Sequence, residues 1–190
     1  ILYNFQLMRY IGEDGVAAYG IIMYVSFIFA AIFIGYSIGS APVIGYHYGA
    51  GNYTELKGLF RKSLCLITLW NIILTILAVL TAQPLAQIFV GYDASLTALT
   101  RRALALYSMS FLCMGLNIFG SAFFTALGNG VVSAAISFLR TLLFQVAAVL
   151  LLPLLLGLDG IWLAIVAAEV LALVVTVFFL IKKGKYYHYV

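Results

Sequence analysis

The chain has 190 residues, 65% of them hydrophobic and 8% charged, with a mean hydropathy of +1.15. A soluble domain carries about 25% charged residues, so a water-facing globular enzyme, a disordered tail and a secreted disulfide scaffold are all excluded. The net charge of +4 comes from ten basic residues scattered among apolar runs, which make no contiguous patch for nucleic acid. This is the composition of an integral membrane protein.

Lys, Arg, Asp and Glu are costly at the bilayer centre, so windows without them mark the spans. Gly15 to Tyr46, Ser63 to Tyr92, Ala103 to Leu139 and Thr141 to Leu158 contain none of the four. A hydrocarbon core of ~30 Å takes about 20 helical residues. The first three windows suffice alone, and the fourth does once residues before Arg140 are included. Gly160 to Ile181 makes a fifth, interrupted only by Glu169. Runs such as Ala147 to Leu156 show no alternation of the kind barrel strands need. The sequence therefore predicts an all-α polytopic bundle with five full transmembrane helices and the end of a sixth.

In chain order, Ile1 to Met8 is apolar but too short to span, and it lacks a signal peptide's basic region and cleavage site. It reads as the outer end of a preceding helix. The first full helix is expected over about 16–46, punctuated by Gly35, Gly39, Pro42 and Gly45. After the Gly49 to Asn52 loop, Asn52 and Glu55 form a capping pair for a helix over about 56–81. Pro84 to Val90 reads as a separate short interfacial piece, because Pro suits a first helical turn. Three more helices follow, over about 95–127, 132–156 and 160–181, separated by Gly128-Asn129-Gly130 and by Gly157 to Gly160.

Lys57, Arg61, Lys62, Lys182, Lys183 and Lys185 fall on one side of such a bundle, and Arg9, Arg101 and Arg102 on the other. Basic residues stay inside, so the richer side is expected to be cytoplasmic, with the C-terminus there. The setting is a multi-pass protein of the cytoplasmic membrane.

No catalytic or metal-binding set emerges. Cys65 and Cys113 lie within predicted helices, have no histidines nearby, and read as small apolar packing. Gly35-Tyr36-Ser37-Ile38-Gly39 has the G-x-S-x-G spacing of a hydrolase nucleophile elbow, but it sits inside a helix. His47 is ten residues further along that helix, about 15 Å away, and His188 is in the tail. An intramembrane hydrolase thus lacks its Ser–His pair, and close helix packing explains the glycines.

Polar residues inside spans are the candidates for function. Glu169 is the only acid within a span and serves either proton binding or a structural pair. Arg140 is expected to snorkel to the interface rather than pair with Glu169 or touch a ligand. Asn71, Asn117 and Gln145 serve either as interhelical glue or as cavity lining. Tyr107, Phe111, Met114, Asn117, Ser121 and Thr125 recur every three or four residues. Plain packing is the simpler account of that stripe, and a wall for varied ligands is the functional one. The substrate-cavity candidates are Tyr36, Tyr107, Phe111, Met114, Asn117, Ser121 and Gln145, with Glu169 as an auxiliary ion-coupling group.

Three ordered motifs carry a resemblance. Gly39-Ser40-Ala41-Pro42-Val43-Ile44-Gly45-Tyr46-His47-Tyr48-Gly49-Ala50-Gly51-Asn52 resembles the end of a lobe's second helix in the multidrug and toxic compound extrusion (MATE) transporters. Gly115-Leu116-Asn117-Ile118 with Ala126-Leu127-Gly128 resembles the family's tenth helix, and Gly157-Leu158-Asp159-Gly160-Ile161-Trp162-Leu163-Ala164 the start of its last. The nearest likeness is to the MepA-like bacterial branch.

The resemblance implies two six-helix lobes around a central cleft. It implies export of cationic amphiphilic compounds in exchange for H⁺ or Na⁺ by alternating access, with no other cofactor. This chain would be most of the C-terminal lobe, partnered by the lipid bilayer and by an N-terminal lobe of the same polypeptide. Some sodium-coupled members carry acids in this lobe's first and fourth helices. No acid stands between Asp93 and Asp159 here, and Asn117 occupies that region. The principal coupling carboxylate is therefore expected elsewhere. The alternatives are a lipid-linked oligosaccharide flippase of the same superfamily, which would line its cleft with basic residues, and a non-transporting membrane subunit.

Overall fold

Lipid offers no hydrogen bonds, so a chain this apolar must satisfy its backbone within each segment, and continuous helix does so. The computed structural model describes residues 1–190 and contains helices and short turns only. The elements are α1 (Leu2–Ile11), α2 (Glu13–Gly49), α3 (Tyr53–Val90), α4 (Ala94–Ser108), α5 (Phe111–Ala126) and α6 (Gly130–Phe138). A π-helical turn (Leu139–Phe144), α7 (Gln145–Leu156) and α8 (Leu158–Gly184) complete the chain. Four stretches are long and apolar enough to cross a membrane: α2, α3, residues 130–156 and α8. The pair α4 and α5, bent by 45°, makes a fifth, broken span.

The turns are set by local chemistry. Asn52 accepts from the Glu55 N–H at 3.5 Å and Asn129 from the Val132 N–H at 3.1 Å. Asp93 accepts from the Ser95 and Leu96 N–H groups at 2.8 and 3.1 Å, and from the Ser95 hydroxyl at 2.7 Å. Those hydrogen bonds, the Ser95 side chain first, hold the Asp93 carboxyl below its ordinary value. Gly157 turns the chain between α7 and α8 at φ 60°, a conformation open to glycine at little cost.

Two expectations are corrected here. Pro84 does not open a separate interfacial helix, because α3 continues through it to Val90. Ala82, Ala86 and Val90 are buried on the face that meets α4, and that packing carries the helix past the bond Pro84 cannot donate. Second, the span expected over 95–127 is broken at Met109–Ser110. The bend is made of tight i to i−3 bonds, from the Met109, Ser110 and Leu112 N–H groups to Leu106, Tyr107 and Met109. Asn71 of α3 braces it: its amide donates to the Leu112 carbonyl at 3.0 Å and its oxygen accepts from the Gly115 N–H at 3.2 Å.

The bent helix is the centre of the bundle, with α5 touching α2, α3, α6 and α8. At one end the C-terminal tail folds back under α3 and α5. Tyr189 lies between the Phe60 and Phe123 rings at 4.7 and 4.9 Å, and Asn129 donates to the Tyr187 hydroxyl at 2.8 Å. At the other end Arg102 grips Asp159 with both a 3.0 Å Nε bond and a second guanidinium nitrogen, and Tyr10 reaches the Pro153 carbonyl at 3.2 Å. The basic residues at the start of α3 and the end of α8 thus share one end, and Arg102 stands at the opposite one.

Asn71 can reach the α5 backbone only because residue 115 has no side chain. A Cβ there would overlap the Asn71 oxygen and sit 2.5 Å from the Phe33 ring. Gly115→Ala should therefore lower the midpoint of thermal unfolding in detergent more than Gly35→Ala, where a Cβ meets nothing. Asn71→Leu, which removes both hydrogen bonds to the α5 backbone, should cost about 1–3 kcal/mol. Equal midpoints for all three variants would show that the brace contributes nothing.

Candidate functional site

A carboxylate in a bilayer is tolerated when it faces a cavity or a partner, and Glu169 of α8 has partners on both oxygens. It is 2% exposed, and each of its oxygens is occupied. Oε1 accepts from Arg140 Nε at 2.8 Å and from a terminal guanidinium nitrogen at 2.7 Å. Oε2 accepts from the Asn117 amide at 2.7 Å, and the same amide reaches the Glu169 main-chain carbonyl at 2.9 Å. Thr176, two turns further along α8, donates to the Asn117 oxygen at 3.0 Å and completes the set. Four side chains from α5, α8 and the π turn make one network in which both oxygens of the carboxylate are engaged.

The expectation that Arg140 snorkels to the interface is overturned by this pairing. Arg140 lies in the π turn, which adds a residue to one helical turn and resets the register of everything after it. Its side chain, 22% exposed, stays at the depth of Glu169 rather than running to the membrane surface.

The pair stands at the edge of an open groove of about 370 Å³ between α2, α5 and α6. Ile34, Met114, Asn117, Ser121, Ser137 and Arg140 are among its walls. One wall is aliphatic and the other carries a hydroxyl cluster. Ser121 meets the Ser133 and Ser137 hydroxyls at 2.9 and 2.8 Å, and Thr125 donates to the Ser133 hydroxyl at 2.7 Å. Chemically, the groove can wrap an apolar or aromatic body and offer hydroxyl partners and one cationic edge. It has no nucleophile–base pair, and no cluster of His, Cys, Asp or Glu could hold a metal ion.

The structure brings together three of the cavity candidates, Met114, Asn117 and Ser121, and adds Glu169 behind them. The other four lie elsewhere. Tyr107 is buried beside Ser26 at 3.3 Å, and Phe111 is enclosed by Phe29 and Tyr107 with ring centres 4.9 and 6.0 Å away. The bend at Met109–Ser110 falls inside this stripe: Tyr107 before it and Phe111 at its exit pack under α2, and the residues from Met114 on meet the groove. Tyr36 donates to Ser63 at 2.8 Å and lines a separate apolar hollow of about 150 Å³ with Trp70. Gln145 lines a hollow of about 330 Å³ with Tyr3 and Tyr19. Sequence reasoning missed Ser133, Ser137 and Thr176. The first two stand seven and three residues before Arg140, so a polar helical face was readable there.

With this geometry in place, comparison with known proteins gives the class: the fold is that of solved multidrug-transporter lobes. An outward-facing multidrug resistance MATE family transporter of the MOP superfamily superposes with a TM-score of 0.89 at 21% identity, over 98% of this chain and 42% of that one. The Vibrio cholerae MATE transporter VcmN in its bent form gives 0.83 at 19% identity, over 96% and 42%. A MOP superfamily transporter from Pyrococcus furiosus, for which reverse polarity of the binding pocket suggests a different function, gives 0.88 at 21% identity, over 98% and 42%. The chain thus spans about two fifths of the length of the transporters it resembles. No curated protein matches it in sequence. The family model described as MatE matches residues 1–151, and the chain belongs to that family.

The ion pair has a signature that separates it from a decorative contact. Glu169→Gln and Arg140→Gln each leave one buried charge without its partner, which costs about 3–5 kcal/mol, towards the low end here because Arg140 keeps some exposure. The double variant removes both charges and should be more stable than either single one. Thermal unfolding of the four proteins tests this, and strictly additive losses would mean the two residues do not act as a pair.

Proposed function

We propose that this chain is the C-terminal lobe of a secondary active antiporter that exports amphipathic, cationic small molecules in exchange for H⁺ or Na⁺. Membership of the MatE family and the fold of the lobe support transport. The observation that carries the reading at the level of residues is the groove whose polar wall presents Arg140, Asn117, Ser121 and Ser137, with Glu169 behind it holding Arg140 and Asn117. A lobe with one open polar-and-apolar face is half of a cleft, and an N-terminal lobe would supply the rest. The positive-inside rule places the end bearing Lys57 and Lys185 in the cytoplasm.

Division of labour between lobes follows from the charges. The one charge the groove presents is cationic, so the positive end of a substrate is met outside it, and this groove holds the apolar body against Ile34, Met114 and Ile136. Both oxygens of Glu169 are engaged, so taking up a proton or Na⁺ there means breaking the pair with Arg140. Glu169 is accordingly auxiliary, and the principal coupling carboxylate belongs to the other part of the transporter. A single arginine, neutralised from behind by Glu169, also makes a poor site for the polyphosphate of a lipid-linked oligosaccharide.

Cells expressing the full-length gene should tolerate higher concentrations of cationic dyes and quaternary ammonium compounds than cells without it, and unchanged tolerance would sink the exporter reading. Within that assay, Glu169→Gln should leave gradient-driven efflux per folded transporter largely intact. Total loss at normal expression would make Glu169 the coupling acid.

A further inference from the structure

A second hollow lies on the opposite side of α5 from the groove. It is a trough of about 490 Å³ between α3 and α8, floored by Leu116 and closed at one end by Val190 of the tail. Its walls follow two helical stripes. Phe60, Leu64 and Thr68 recur at four residues on α3, and Leu173, Thr176, Val177, Leu180 and Ile181 recur at three and four on α8. Val177 and Ile181 are 42% and 73% exposed, so the trough lies open along the side of the bundle. Nothing in it matches the polar wall of the groove, and Thr176, its most buried hydroxyl, is turned to Asn117.

Extending both stripes towards the basic end gives the trough a cationic mouth. On α8 the stripe arrives at Lys185, which lines the hollow itself. On α3 Lys57 stands three residues before Phe60, on the same side of the helix and just outside the hollow's own lining. Neither lysine makes an ion pair, whereas the neighbouring Lys182 and Lys183 are spent over the Phe178 and Tyr186 rings at 5.3 and 5.7 Å. Glu55, the nearest acid in sequence, is two residues from Lys57 and so points to the other side of the helix. An aliphatic trough running along two membrane-spanning helices, with two unpaired ammonium groups towards its basic end, is complementary to one chemistry. We propose that it binds an anionic phospholipid, one acyl chain lying between α3 and α8 and the phosphate held by Lys57 and Lys185.

The binding is more than solvation by the bilayer. The lysines select for headgroup charge, at a strength typical of basic residues beside an anionic leaflet. Its chain also packs on the back of Thr176 and Leu116, neighbours of the network that holds Glu169, so the lipid buttresses the site from behind.

Native mass spectrometry of the full-length transporter, titrated in detergent with phosphatidylglycerol or phosphatidylcholine, tests the proposal. One phosphatidylglycerol should be retained in preference to phosphatidylcholine. Lys57→Gln with Lys185→Gln should weaken its retention about tenfold or more, and Lys57→Arg with Lys185→Arg should restore it. Leu173→Trp, which fills the trough and leaves the lysines in place, should weaken both lipids. Equal retention of the two lipids overturns the proposal. So does loss of phosphatidylglycerol in the glutamine pair without any effect of Leu173→Trp, since that would be surface attraction with no chain in the trough.

Discussion

The structure depends on one electrostatic constraint: a carboxylate placed in the middle of a span must be met by donors from its neighbours. Glu169 draws Arg140 from the π turn and Asn117 from α5, and Thr176 of its own helix closes the set. Three elements that hydrocarbon packing alone would leave free to slide are thereby held at one register and one depth. Interhelical hydrogen bonds between neutral groups in membranes contribute only about 0.6 kcal/mol each on average. A charged pair with both carboxylate oxygens engaged is a stiffer joint, because separating it leaves a buried charge without its partner. The π turn belongs to the same constraint, since it holds the residue that completes the pair.

A second consequence concerns the broken span. Asn71 and Asn117 do the same kind of work at two points of α5, each bonding a backbone group of a neighbouring helix as well as a side-chain or main-chain partner. Asn71 braces the bend and Asn117 anchors the next two turns to α8. The bend then decides which residues reach the groove. Met114 and Ser121 lie one to three turns past it and line the wall, whereas Tyr107 before it and Phe111 at its exit are packed under α2. One periodic stripe is thereby divided between packing against α2 and the wall of the groove.

This is also where reading the sequence stops. The solvent, the number of spans and their approximate positions were legible, because they depend on the cost of charge in lipid and on runs of twenty or so residues. Capping at Asn52 was legible for the same reason, being a matter of local spacing. What was hidden is tertiary. No local signal at Met109–Ser110 announces a bend that Asn71, some forty residues earlier, holds in place. Pro84 carries a strong local signal for a helix start, and burial of Ala82 and Ala86 overrides it. Arg140 looked able to reach water along its own helix, and only a change of helical register with an acid on the facing helix makes pairing the better outcome.

The position of α5 gives the lobe two faces of opposite chemistry. Towards α2 and α6 it presents Met114, Ser121 and the edge of the ion pair, towards α3 it presents Leu116 and the aliphatic trough, and Asn117 reaches α8 between the two. Leu116 and Asn117 are adjacent, so the polar network and the apolar trough are separated by the thickness of one helix. Thr176 belongs to both, lining the trough with its side chain and donating its hydroxyl to Asn117. Any rocking that shifts α8 against α5 must therefore strain the Glu169 network and reshape the trough together. A fold built this way cannot change its groove without changing what it shows to the surrounding lipid.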